Sequence, residues 1–263
     1  NRAMTPQSFL WWANAGVPIN EQYQVIFPPD VRYAVYHGKA PVISFPIGTG
    51  EFPSGNDYGD GTDISYWANS PGATSFFSAP SRYHFFGGYD HVRGVGIVHV
   101  ANAGISGGKK YFTWANGPYG HTWQRNLYDY DTEGEYLELM AGVYSDNQPD
   151  FSWIMPYETR TFSQFWYPVQ AIGGLKNANQ RTALNLELVD GKLQLAAYAT
   201  ERLAGAHLRL IVADKVVLDE RADLAPGVSW TRELEVPSKL RAEQVLLVLS
   251  DAQGAEVLRY QLD

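Results

Sequence analysis

The stretch whose reading decides the fold is GEYLELMAGVYSDNQPDFSWIMPYETRTFSQFWYPV, residues 134–169. Within it, Tyr136-Leu137-Glu138-Leu139-Met140 reads as a strand, with large apolar side chains around a single carboxylate. A carboxylate turned into a sheet interior costs several kcal/mol unless it is paired or neutralised. Alternation allows two arrangements. Glu138 serves as a general acid or base tuned by apolar neighbours, or Leu137 and Leu139 face a core while Glu138 points outward. The following loop carries Asp146, Asn147, Gln148, Pro149 and Asp150. These residues can line a ligand cleft, and they are also ordinary turn formers.

Working outward, the aromatic density of this stretch continues toward the N-terminus and stops abruptly after it. All 12 Phe, 15 of 17 Tyr and 7 of 8 Trp precede residue 172, whereas 4 leucines precede it and 18 follow. The break falls at Ala171-Ile172-Gly173-Gly174 and predicts two domains, 1–172 and 173–263. The second half alternates: Leu184, Leu186 and Leu188 precede an Asp190-Gly191 hairpin turn, and Leu193 and Leu195 follow it. Leu208, Leu210 and Val212 repeat the pattern, as do Val245, Leu247 and Leu249, with a four-residue loop at Asp251–Gly254. This spacing predicts a small immunoglobulin-like or fibronectin-like β-sandwich, with one helix or turn near 238–243 and a structural or spacer role. His207 stands alone there and reads as a surface or packing residue. In the first half, candidate strands are 31–36, 41–45, 75–78, 95–101, 110–114, 136–140 and 159–167, without sustained helical periodicity. A large β-sandwich is the physical reading.

Composition narrows the function classes. A formal charge of −8, with Lys and Arg scattered, argues against nucleic acid or an anionic membrane as the main partner. The absence of cysteine excludes disulfides and thiolate metal sites but does not settle the compartment, since a bacterial periplasmic protein can equally lack cysteine. No apolar run approaches the roughly 18–20 residues that span a bilayer. The chain opens at Asn1 with no visible targeting signal; a processed piece with an upstream segment is the expectation.

Several clusters could carry chemistry. Tyr83–His91 contains His84, Tyr89, Asp90 and His91, and His99 follows on a strand. Three histidines and an acid can act as acid–base groups, but the spacing matches no zinc signature. Aromatic faces that stack on pyranose C–H groups, beside His, Asp and Asn for the hydroxyls, make a sugar site the more natural reading. Residues 112–124 read as a glycine-rich loop bracketed by Trp114 and Trp123, with His121 between them. It lacks the phosphate-loop pattern, and no helix is expected after it. Asn56–Asp63 superficially suggests a calcium loop, but its spacing fails and a polar turn is expected. One ring of the adjacent pair Trp11-Trp12 is expected to pack inward.

The opening stretch resembles the end of galactose mutarotase (aldose 1-epimerase) and its superfamily. There, a Leu-Glu strand precedes a Pro-Asp loop and then Pro-x-Glu-Thr; here these are Leu137-Glu138, Pro149-Asp150 and Pro156-Tyr157-Glu158-Thr159. The resemblance implies that Glu138 is the base removing the anomeric hydroxyl proton and that Glu158 is a structural turn residue. The paired histidines of the mutarotases do not align with His84, His91, His99 or His121. A closer resemblance is to an uncharacterised family of that superfamily, often found beside tetratricopeptide repeats. TPQSFLWWANAGVPIN, FFGGYDHVRGVGIVHVAN, GKKYFTWANGPYGHTWQRNL and GEYLELMAGVYSDNQPDFSW carry it. It implies a galactose-mutarotase-like supersandwich with carbohydrate as ligand. Because that fold usually takes a longer chain, N-terminal strands are expected to be missing or supplied by an upstream segment or partner chain.

The combined expectation is an all-β, carbohydrate-active protein performing acid–base chemistry at an anomeric centre, epimerase-like or glycosidase-like. Glu138, His99, His84 and Asp150 are the candidate catalytic residues. Trp114, Trp123, His121, Asn147, Gln148, Tyr89, Asp90 and His91 are the candidate sugar contacts. No metal or cofactor is expected. The alternative is a non-catalytic glycan-binding module with a structural C-terminal sandwich.

Overall fold

Leu137, Leu139 and Ala141 are fully buried, whereas Tyr136, Glu138 and Met140 project half-buried from the opposite face of the same strand. The computed structural model describes residues 4–37, 41–52, 55–127, 134–145, 147, 150–235 and 240–263. It is predominantly β. The first fourteen strands are β1 (Gln7–Phe9), β2 (Trp11–Ile19), β3 (Tyr23–Ile26), β4 (Tyr33–Tyr36), β5 (Val42–Ser44), β6 (Ile47–Gly48), β7 (Thr62–Asp63), β8 (Thr74–Ser78), β9 (Phe85–Asp90), β10 (Val95–Ala101), β11 (Gly108–Thr113), β12 (Glu135–Val143), β13 (Ser152–Ile154) and β14 (Gln164–Gln170). A single α-helix among the described residues, α1 (Pro118–Leu127), lies between β11 and β12.

The residues divide into two compact units, one of Asn1–Val92 with Ala101–Phe165, the other of Arg93–Val100 with Trp166–Asp263. The first is built on a six-stranded sheet of order β2-β12-β11-β8-β4-β5. Its registers place Val17, Leu137 and Leu139 with Tyr111 and Phe76 on one face, which is core. The other face carries Asn14, Glu138, Lys110, Phe112 and Phe77. Trp12 lies flat over this second face: a Cβ at Gly142 would sit 2.4 Å from its indole and one at Gly108 2.5 Å from it. Trp11, on the opposite face, is 43% exposed beside Phe162. The inward ring of the pair is therefore Trp12. Gly142→Ala is expected to cost about 1–3 kcal/mol through the displaced indole, measured by urea unfolding against wild type.

In the second unit, β10 lies beside β14. The remaining strands are β15 (Asn177–Ala178), β16 (Thr182–Val189), β17 (Lys192–Ala199), β18 (Leu203–Val212), β19 (Lys215–Leu224), β20 (Trp230–Glu235), β21 (Val245–Ser250) and β22 (Glu256–Gln261). They form two four-stranded sheets, β15-β16-β17-β20 and β19-β18-β21-β22, around one leucine-rich core. The Asp190-Gly191 turn has both residues at positive φ, as a tight hairpin requires. Asp251 caps its loop by accepting from the backbone N–H groups of Gln253 and Ala255. Near 238–243 a short 3-10 turn, Ala242–Gln244, is present, and residues 238 and 239 lie outside the described residues.

The helix at 118–127 corrects the loop reading of that segment. Its sequence, PYGHTWQRNL, has no aliphatic stripe and contains a glycine, so periodicity gives no signal. Pro118 suits a first helical turn. Gln124 anchors the helix from inside, donating to the Ala115 carbonyl (3.0 Å) and accepting from the Tyr136 N–H (3.0 Å). Gly120 permits the docking, since a Cβ there would come within 2.4 Å of the Trp114 and Ala115 carbonyl oxygens. Tertiary contact, not propensity, makes this helix.

Candidate functional site

Glu138 emerges at the middle of β12, directly opposite Phe112 on β11 and Gly16 on β2. Its Oε2 accepts from Asn14 Nδ2 at 2.7 Å, and its Oε1 accepts from the Tyr136 hydroxyl at 3.3 Å. That hydroxyl in turn accepts from Trp114 Nε1 at 3.0 Å. Burial, assisted by the Glu138 charge, raises the Tyr136 phenol pKa, so it stays a donor at neutral pH. Trp114 stacks on Trp123 of α1, with centroids 5.1 Å apart and planes 15° apart, and Phe112 meets Trp114 edge-on at 4.9 Å. Trp123 remains 37% exposed. A continuous hydrogen-bonded row, Asn14–Glu138–Tyr136–Trp114, thus ends in an accessible aromatic ring.

The same face carries Lys110, buried to 5% exposure with Nζ 5.1 Å from the centre of the Phe77 ring. Burial pushes its pKa down to about 8, and the nearby Glu138 charge partly offsets the shift. His37 tilts over the other side of this environment, 5.8 Å from Phe77; burial and then Lys110 lower its pKa. Asn14, His37, Lys110 and Tyr136 are absent from the sequence-derived set. One signal was available: Lys109-Lys110 sits inside a strand, so alternation must turn one of the two inward.

The other expected residues are distributed as follows. His121 on α1 places Nδ1 against Glu135 Oε1 at the start of β12. Tyr89, Asp90 and His91 belong to or follow β9, which pairs with β3 and lies outside the six-stranded sheet. Asp90 accepts from Asn20 Nδ2 (2.7 Å) and the Val92 N–H; His91 Nε2 meets Gln24 Oε1 at 2.9 Å. His84 Nδ1 accepts from the Ala103 N–H at 3.0 Å. His99, 1% exposed, packs its ring 4.7 Å from Trp166 in the second unit. Asn147 is buried and Asp150 half-buried in the loop after β12, where Ser145 Oγ donates to the carbonyls of both. Gln148, like Asp146, lies outside the described residues. Among the described residues, the hydrogen-bond partners of Glu138 are Asn14 and Tyr136, not a histidine or Asp150. Glu158 accepts from the Met155 N–H and from Arg160 Nε, both at 2.8 Å, and so ties its own turn. In the second unit, His207 pairs with Asp219 at 2.5 Å.

Fold and site together describe a β protein that presents one carboxylate between an amide, a phenol and stacked indoles. The chain belongs to the family described as "Domain of unknown function (DUF5107)", which matches residues 1–169. Residues 177–260 match the family "YphG-like protein, second domain". Among solved structures, the chain is similar to a TPR-domain containing protein from Parabacteroides distasonis ATCC 8503, at 18% identity and a TM-score of 0.48. That match covers 64% of this chain and 26% of the other, so this chain spans about a quarter of that protein's length.

Proposed function

We propose that the first domain is a galactose-mutarotase-like β-sandwich that binds a sugar on the Glu138 face and does acid–base chemistry at its anomeric centre. The observation that carries this reading is the row Asn14–Glu138–Tyr136–Trp114 ending in the exposed ring of Trp123. A pyranose offers an apolar C–H face to the indole and hydroxyls to the carboxylate and amide. In an epimerase-like step, Glu138 takes the anomeric hydroxyl proton while the bond from C1 to the ring oxygen breaks. An acid then protonates the ring oxygen. Lys110, whose pKa of about 8 lets it exchange protons near neutrality, is the group on this face suited to that role. His99 and His84 are less suited, since one packs on Trp166 and the other accepts from a backbone amide. A glycosidase would need two carboxylates about 5–10 Å apart. Asp90 and Asp150, the candidates for the second, sit on another sheet and in the loop after β12. The epimerase-like form is therefore preferred.

One observation favours a non-catalytic glycan-binding module instead: both Glu138 oxygens are already engaged by neutral donors. The C-terminal sandwich would then act as a spacer. A glycan array including free reducing sugars tests the shared premise. Trp123→Ala is expected to weaken sugar binding about tenfold through the lost stacking surface. Equal binding by the variant would remove the aromatic platform from the site, and no sugar binding by wild type would sink the reading.

A further inference from the structure

The ladder between β2 and β12 resumes beyond the six-stranded sheet. It ends at Trp11 opposite Val143, and the next pairs are Phe9 with Ser152, Ser8 with Trp153 and Gln7 with Ile154. These form the separate two-stranded β1–β13 ribbon. One face of the ribbon is covered: Phe9 meets Tyr144 edge-on at 6.0 Å, and the Arg160 guanidinium lies over both rings. The other face carries Ser8 and Trp153, with Phe151 and Met155 two positions to either side of Trp153 and Leu10 two beyond Ser8. Phe151, Trp153 and Met155 are each more than half exposed, Leu10 is 44% exposed, and Met4, just before β1, 72%. Residues 4–10 and 151–157 contain no charged side chain.

A two-stranded ribbon is marginal in water unless a further strand or an apolar surface covers it. These five side chains expose on the order of 500 Å², near the top of the roughly 300–600 Å² patch of an ordinary monomer. Uncharged and apolar, the face offers nothing to a partner recognised by charge. No Lys or Arg stands on it to hold an anionic membrane, and the chain's net charge is −8. A sugar finds no flat platform there, since the Phe151 and Trp153 rings are inclined at 70°. The surface that fits is another uncharged apolar face of the same outline, and a two-fold axis supplies one. With Ser8 and the exposed Tyr157 included, two ribbons face to face bury about 1,200 Å², the lower bound of specific interfaces. We infer that the chain forms a symmetric dimer through the apolar face of the β1–β13 ribbon, with Trp153 and Phe151 at its centre.

Sedimentation equilibrium of the full chain, without sugar, from micromolar to sub-millimolar concentration tests this. The wild type is expected to dimerise with a dissociation constant in the micromolar range, as suits a small interface. Trp153→Glu should raise that constant about thirtyfold or more, since it removes the central aromatic ring and sets two carboxylates against each other across the axis. Met155→Glu should act in the same direction. Val217→Glu, at a comparably exposed apolar residue of β19, should leave dimerisation unchanged. All three positions are exposed, and an unchanged circular dichroism spectrum is the control for folding. A wild type that stays monomeric throughout, or a dimer that survives both Trp153→Glu and Met155→Glu, would overturn the inference. Dissociation by Val217→Glu would also overturn it, by placing the contact in the second unit. Flotation of a monomeric wild type with phosphatidylcholine vesicles, lost in Trp153→Glu, would overturn it in favour of a lipid surface.

Discussion

Glu138→Gln is expected to lower turnover of a reducing sugar by roughly 10²–10⁴, the contribution of a positioned general base. The substitution keeps the shape of the side chain. Its amide oxygen can still accept from Asn14 Nδ2, so the row along β12 persists, but the proton acceptor is gone. Anomer interconversion followed by polarimetry is the measurement, with melting temperature as the control for folding. Lost turnover with retained sugar binding is the outcome expected for an enzyme. Full turnover in the variant would remove Glu138 from the chemistry. A wild-type chain that binds sugar yet never interconverts anomers would move the reading to the binding module.

The second large effect is on stability and comes from Lys109, the neighbour of Lys110 that points the other way. Lys109 pairs with Ala141 on the core face of the sheet, is 2% exposed, and its Nζ has no hydrogen-bond partner among the described residues. Burial pushes its pKa down to about 8 from 10.5, with Asp30 partly offsetting the shift. Below pH 8 the ammonium is charged in both states, and the folded chain bears its full desolvation. Between pH 8 and 10.5 the unfolded chain holds more protons than the folded one, so stability rises with pH. Lys109→Met removes the charge at similar length. At about 1.4 kcal/mol per pKa unit, it should stabilise the protein by about 3 kcal/mol at neutral pH. The gain should shrink as pH rises through the window from 8 to 10.5. Urea unfolding of both chains across that window is the check. A destabilised or pH-independent variant would show that the ammonium has acceptors and contributes to the fold.

Much of the β architecture was legible because its signals are local. The alternation around Leu137–Leu139, the Asp-Gly hairpin at 190–191 and the leucine pattern after 175 each follow from period-two burial or turn chemistry. Strands 95–101 and 75–78 were legible for the same reason. The short β1–β13 and β6–β7 pairs were not, because two or three residues hold no period. The helix at 118–127 was hidden because Gln124 and Gly120 make it stable only against Tyr136 and the Trp114–Ala115 backbone.

For the site, the chain alone singled out Glu138 and the two tryptophans. A lone carboxylate among apolar neighbours and a bracketed aromatic pair are visible without coordinates. Which side of the sheet Glu138 faces, and what stands beside it, was decided by register. Asn14 lies 124 positions away in the chain and meets Glu138 because β2 pairs with β12. Lys110 shares the face because β11 pairs on the other side of β12. His84, Asp90, His91 and His99 are close to one another in sequence, yet their side chains engage separate partners. Spacing along a strand determines which residues can share a face, but the partner across the ladder depends on the pairing of distant strands.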